Sequence, residues 1–177
     1  MSGKEHPFTL TSMNNLASVL KSQGRYQEAE QIHRQALELR EKVLGKEHPS
    51  TLMSINNLAS VLESQGRYEE AEQMYRQALE LREKVLGKEH PDTLSSVYNL
   101  VDTLESLEDL PAAEALFQLE LERCRIVYRS EHPETIGSLR HLASLLEKQG
   151  RSAEADILRG RITDLSNSDF ESGGTDL

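Results

Sequence analysis

The 177-residue chain contains no tryptophan, a single cysteine, and aromatic side chains at only 5% of its positions. A thick core filled by rings is therefore excluded, and leucines and small residues must do the packing. One thiol, Cys124, rules out a disulfide within the chain and fits a reducing compartment. No stretch of about 18 apolar residues occurs, and the opening MSGKEH lacks the apolar segment of a secretory signal. The expectation is a soluble, cytoplasmic protein. Basic residues are also in deficit: 20 Lys and Arg face 30 Asp and Glu, a net charge of −10. A surface of that sign does not neutralise phosphates, so neither nucleic acid nor an anionic membrane is an expected partner. The chain has no glycine-rich phosphate loop, no Ser-His-Asp arrangement and no paired-cysteine motif. No catalytic residue, metal site or cofactor is expected, and the protein is not read as an enzyme.

What the chain does contain is repetition. Lys46 to Gly87 overlies Lys4 to Gly45 without a gap and differs at seven of 42 positions. The pair His-Pro returns at His6-Pro7, His48-Pro49, His90-Pro91 and His132-Pro133, a period of 42 residues held four times. Such a period denotes stacked supersecondary units, so any function must lie on a surface that the units build together. The units run over residues 4–45, 46–87, 88–129 and 130–165, followed by an acidic tail, residues 166–177, expected to be disordered.

Each unit reads as two helices. In the second, Pro49 suits a first helical turn, and Leu52, Ile55, Leu58, Ala59 and Leu62 recur at steps of three and four up to about Gln65. Gly66 closes that helix, and a second runs from Tyr68 to Gly87 with Ala71, Met74, Tyr75, Ala78, Leu79, Leu81, Val85 and Leu86 on its buried stripe. Leucine recurs at 16, 58, 100 and 142 and at 20, 62, 104 and 146, and alanine at 29, 71, 113 and 155. These are packing positions, the alanines marking close helix crossings. The histidines before proline lie one unit apart, too far for one metal ion, and are read as helix starts. The third unit departs: Glu108-Asp109-Leu110-Pro111 replaces the glycine turn, which removes the left-handed stop. Glu120 replaces alanine there, which shifts the apolar stripe to Leu116, Phe117, Leu121, Cys124 and Tyr128. In the fourth the second helix is expected to fade near Gly160.

Small residues at Ala17, Ala29 and Ala36, with a Gly-Arg-Tyr turn between helices, resemble the tetratricopeptide repeat (TPR). The eight residues beyond the usual family period lie in a longer second helix and in the Leu-Gly-Lys-Glu-His-Pro connection. This resembles the long-repeat subclass of kinesin light chains and of arrays on signalling NTPases. A HEAT or armadillo array would share the period but not the alanine spacing. The resemblance covers residues 4–165 and implies an all-α fold, a right-handed solenoid of four antiparallel helix pairs. It also implies that the first helices line a concave groove for a peptide or helix of a partner protein.

The first-helix residues left over from packing fall on one side. They include Thr11, Asn14, Asn15, Ser18 and Lys21; Met53, Asn56, Asn57, Ser60 and Glu63; Tyr98, Asn99, Asp102 and Glu105; and Arg140, His141, Ser144 and Glu147. Asn15, Asn57 and Asn99 form a ladder whose amides can donate to and accept from an extended backbone. Each could instead bond a neighbouring helix. The acidic residues among them argue against holding the acidic tail of a heat-shock chaperone, a task for which related clamps need lysine and arginine.

The first reading is a scaffold that docks a partner peptide or helix. The alternative is a sensor or oligomerisation arm of a multidomain signalling NTPase. The opening SGKEHP echoes the connection LGKEHP, which suggests a chain cut from a longer array, with an apolar end face at Phe8 and Met13 that favours self-association. The closing Gly-Thr-Asp-Leu fits the loose pattern of a PDZ ligand.

Overall fold

The computed structural model describes residues 6–172, without the side chains of residue 7 and residues 167–172. These residues form eight α-helices and no strand: α1 Pro7–Ser22, α2 Tyr26–Leu44, α3 Pro49–Ser64, α4 Tyr68–Leu86, α5 Pro91–Ser106, α6 Leu110–Tyr128, α7 Pro133–Lys148 and α8 Ser152–Ser172. The chain divides into two compact units, Met1–Gly87 and Lys88–Leu177. In the first, α1 packs on α2, α2 on α3 and α3 on α4, and α1 also touches α3; in the second, α5 to α8 pack in the same succession.

The His-Pro pairs start the odd-numbered helices. His6, His48, His90 and His132 are their N-caps, each imidazole Nδ1 accepting the backbone N–H two residues on, at 3.1 Å for Ser50 and 3.2 Å for Glu134. The ring meets one of the N–H groups that a helix start leaves unpaired, and proline lacks another. The threonine that follows is buried in the last three repeats, and in two of them it braces the preceding turn: the Thr51 hydroxyl donates to the Gly45 carbonyl at 2.8 Å, and that of Thr135 to the Arg129 carbonyl at 2.7 Å.

At the other end of these helices Gly66 sits at φ 76°, with Gly66 N–H on the Glu63 carbonyl and Arg67 N–H on that of Leu62. The third repeat keeps this turn without its glycine, contrary to expectation. Glu108 takes φ 60° and makes the same pair of bonds, to Glu105 and from Asp109 to Leu104. Sequence suggested that the left-handed stop was lost; the turn keeps it, at the steric cost of a side chain in that region. Asp109 then caps α6 by accepting the Ala112 N–H, and the helix begins at Leu110, one residue before Pro111.

The alanines at 29, 71, 113 and 155 are fully buried. Leu58, Leu100 and Leu142 are buried as expected, but Leu16 is not: it is 52% exposed, against 1% for Leu58. Likewise Val19 is 52% exposed where its counterpart Val61 is fully covered, by α2 and Ala29. Identical sequence thus has two fates, because α2 covers this face of α3 while the same face of α1 is open. Met13 is only part-exposed, whereas Phe8 is open. Val85, assigned to the buried stripe of α4, is exposed, and Met74, Leu81 and Leu86 are partly so.

Two further corrections concern the second unit. Phe117, Leu121 and Cys124 are buried, but the stripe of α6 does not turn to expose Glu120, which stays in the row of Ala36 and Ala78 and is itself buried. The helix α8 does not fade at Gly160; it continues to Ser172, into the segment expected to be disordered. The PDZ-like end, Gly-Thr-Asp-Leu, lies outside the described residues.

Each unit carries the same clamp between successive repeats. Glu30 of α2 accepts from Gln65 at 2.9 Å, from Arg34 at 2.9 Å and from Arg67, while Arg67 also grips Glu70 at 2.6 Å. Eighty-four positions later, Glu114 accepts from Gln149 at 3.0 Å and Arg151 at 2.7 Å, and Arg151 grips Glu154. Burial works against the Glu30 charge, but Gln65, Arg34 and Arg67 hold its carboxyl below the usual range.

Candidate functional site

In the first unit α1 and α3 lie side by side through polar bonds. The Asn57 amide donates to the Asn14 side-chain oxygen at 2.9 Å, and the Lys21 ammonium donates to the Ser60 hydroxyl at 2.5 Å. Two rungs of the predicted recognition face therefore serve the stacking of repeats. Asn14 is buried, and Asn57 and Ser60 are half-buried. Of the asparagine ladder, Asn57 took the inter-helix course, while Asn15 and Asn99 are exposed. Ser18 is exposed, its hydroxyl turned back on the Asn14 carbonyl at 3.0 Å. Asn56 is part-buried with its side-chain oxygen enclosed and unpartnered among the described residues. Met53 adds an exposed apolar surface beside these amides.

In the second unit an aromatic knot replaces the amides. The Tyr98 ring meets Phe117 edge-on at 5.7 Å and His141 at 5.2 Å, and His141 stacks on Phe117 at 5.6 Å and 16°. His141 and Arg140 are otherwise exposed, as is Asp102. The Tyr98 hydroxyl shares a 3.1 Å hydrogen bond with the Ser138 hydroxyl, and burial pushes its pKa up to about 12. Burial, aided by the neighbouring Glu105, also raises the Asp102 carboxyl against the pull of His141 and Lys148. Lys148 is paired with Glu105, so the charge there is largely internal.

Behind this face lies a polar line that sequence did not assemble. The Cys124 thiol donates to Glu120 at 2.9 Å, and the Ser138 hydroxyl approaches the Cys124 sulfur at 3.9 Å. Burial raises the Glu120 carboxyl, and burial together with Glu120 pushes the Cys124 thiol up to about 12. A thiol held neutral in this way is no nucleophile at ordinary pH. Its signal in the sequence was the coincidence of two departures one helical turn apart, alanine to Glu120 and arginine to Cys124, opposite the recurrent Ser138.

Among the described residues no group of three or more His, Cys, Asp or Glu side chains is arranged to hold a metal ion, and no helix is long and apolar enough to cross a membrane. Each unit exposes hydrogen-bonding side chains on its odd-numbered helices, Asn15 and Ser18 in the first and Asn99 and the His141 imidazole in the second.

Solved structures place the architecture. A Podosopora anserina protein described as a kinesin light chain with nearly identical TPR-like repeats matches with TM-score 0.83 and 29% identity, over 93% of this chain and 78% of that one. A glutamine-to-methionine variant of it matches with TM-score 0.85 and 28% identity, over 97% and 81%. BtubC (BKLC) from P. vanneervenii shares the fold, with TM-score 0.77 and 19% identity over 96% and 66%. No curated protein has a significant sequence match to the chain. The tetratricopeptide repeat pattern matches residues 8–84, 50–125 and 93–158. The chain therefore belongs to the tetratricopeptide repeat family, with repeats like those of kinesin light chains, a helix-pair fold that generally serves as a protein–protein interaction scaffold and is typically not catalytic.

Proposed function

We propose that the protein is an adaptor whose odd-numbered helices present a groove that binds an extended peptide or a helix of a partner protein. The observation that carries this reading is the division of labour along those helices. Asn14, Asn57, Ser60 and Lys21 are spent on stacking, whereas Asn15, Ser18 and Met53 in one unit and Asn99, Asp102, Arg140 and His141 in the other are left exposed on the corresponding turns. An exposed amide on a helix is a poor helix former retained without an internal bond, and it can pair both with N–H and with C=O of a bound backbone. Neither nucleic acid nor a membrane surface fits a chain of net charge −10.

The test is a peptide selected from a random displayed library for binding the whole chain. Replacing Asn15 and Asn99 together by alanine should weaken it by about tenfold or more, equivalent to about 1.4 kcal/mol. Replacing Gln35 and Gln77, exposed on α2 and α4, should leave it unchanged. Equal affinity in both double variants would refute a site on the odd-numbered helices. Asn57 is left intact in this design because its loss would also cut the bond to Asn14.

The open face of α1 favours a second reading, an oligomerisation arm. Phe8, Leu16 and Val19 are exposed there, and α2 covers Val61, the counterpart of Val19 on α3, so a second-position helix from another copy of this chain fits it. Sedimentation at rising concentration should show dimers that Leu16→Glu abolishes; a strict monomer refutes the reading.

A further inference from the structure

The first unit buries one positive charge without a negative partner. Arg40 of α2 is 3% exposed, and its guanidinium donates to the Ser54 hydroxyl at 2.6 Å, to the Ser50 carbonyl at 2.9 Å and to the Leu10 carbonyl at 3.4 Å. Every one of these acceptors is neutral. Among the described residues no carboxylate stands within ion-pair distance of it. A guanidinium has five N–H groups, and these contacts occupy three. A buried cation of this kind is costly unless an anion compensates it. The same arginine recurs as Arg82, which is only part-buried, and the third repeat replaces it with the neutral Cys124.

Beside Arg40 lies a cavity of about 60 Å3 lined by Leu10, Thr11, Val43, Leu44 and Ser50. Roughly 10–15 Å3 of such space admits one water molecule, so the cavity has room for a small ion with a few waters and none for a peptide or a nucleotide. Its walls are mainly apolar: Leu10, Val43 and Leu44 offer nothing to a strongly hydrated oxyanion, and the charge is concentrated at Arg40. The first turn of α3 at Ser50 adds a modest positive potential.

We propose that the Arg40 cavity is a binding site for one small, weakly hydrated monovalent anion of the halide class, which neutralises the guanidinium and ties α1, α2 and α3 together. Occupancy stabilises the folded first unit by mass action, because the unfolded chain has no such site. Thr11 stands both on the first-helix face and in the cavity wall, but the peptide test rests on Asn15 and Asn99, so failure of either reading leaves the other standing.

The test is thermal unfolding of the whole chain at constant ionic strength, with sodium gluconate, whose anion is too large for the cavity, replaced stepwise by sodium chloride or bromide. The midpoint should rise by a few degrees and saturate. Thr11→Leu narrows the cavity without touching the guanidinium, and Arg40→Met removes the charge; both should abolish the saturable rise. Sodium phosphate should produce no saturable rise beyond its general salting effect, which is common to all variants. Crystals grown in bromide should show an anomalous peak beside the Arg40 guanidinium. A rise of equal size in the natural chain and in Thr11→Leu, a phosphate effect that saturates where the halides do nothing, or a bromide peak only at other sites would overturn the proposal. Should Arg40→Met fail to fold, Thr11→Leu and the anomalous map decide the matter.

Discussion

Replacing His33 by phenylalanine should remove an acid sensitivity that the chain carries in its first repeat. His33 is 1% exposed in α2, and its Nδ1 has no hydrogen-bond partner among the described residues. Burial, with Lys21 and Arg40 repelling a further positive charge, lowers its pKa from 6.5 to about 4. In the unfolded chain the same imidazole takes up a proton below pH 6.5, while the folded protein resists it down to about 4. The unfolded state then binds more protons, so stability falls as pH falls through that window and is fully present above it. At about 1.4 kcal/mol per pH unit, the loss from this one side chain approaches ~3 kcal/mol by pH 4.

The repeat itself supplies the replacement: the second copy has Tyr75 and the third Phe117 at the equivalent place, both buried. His33→Phe should therefore be accommodated, and near pH 7.5 it should gain roughly 1 kcal/mol by removing an unpaired buried nitrogen. The assay is urea unfolding followed by circular dichroism at pH 7.5, 6 and 5, natural chain against variant. Carboxylates such as Glu30, Glu70 and Glu154, held low by arginine, make both proteins acid-sensitive, so the quantity of interest is the difference. That difference should widen by about 2 kcal/mol in favour of the variant between pH 7.5 and 5. A gap that stays constant with pH would refute the claim that His33 is held neutral by its surroundings.

Three other expectations can be checked in the same way. Glu108→Gly should stabilise the second unit by roughly 1 kcal/mol in urea unfolding, because Glu108 holds a φ of 60° that glycine adopts without strain. Glu120→Gln keeps the volume of a buried carboxyl whose pKa is raised above 4.5, so its stability gain over the natural chain should open as pH rises above that value; a gap that opens toward acid instead would reverse the argument. Leu58→Ala should cost about 2–5 kcal/mol, whereas Leu16→Ala, at the same place in the repeat, should cost under about 1 kcal/mol. Equal losses would show that Leu16 is covered in solution.

Local features were legible because they depend on neighbours in the chain. Proline after histidine starts a helix wherever it occurs, a glycine at the turn stops one, and alanine at a fixed offset admits a close crossing. The 42-residue period carried these signals four times, which is why the helix pairs and the family could be read from residues alone. The glycine-free turn at Glu108 was misread for the same reason: its bonds to Glu105 and from Asp109 are made by backbone, which the residue names do not disclose.

What pattern could not distinguish was the face of a helix that another helix covers. Leu16 and Leu58 have the same local sequence, yet Leu16 is half exposed and Leu58 is covered. Asn15 and Asn57 occupy the same place in the repeat, yet only Asn57 spends its amide on the neighbouring helix, through Asn14. Glu120 and Arg40 stay buried because the rows they stand in are enclosed by adjacent helices, whatever their charge. The sequence alone determined the all-helical class, the repeat and its turns, since hydrogen bonding within a helix and at its caps is local. Burial, pairing and pKa were decided by tertiary structure, because they depend on which atoms of distant residues displace water from a side chain, and near-identical repeats meet different neighbours.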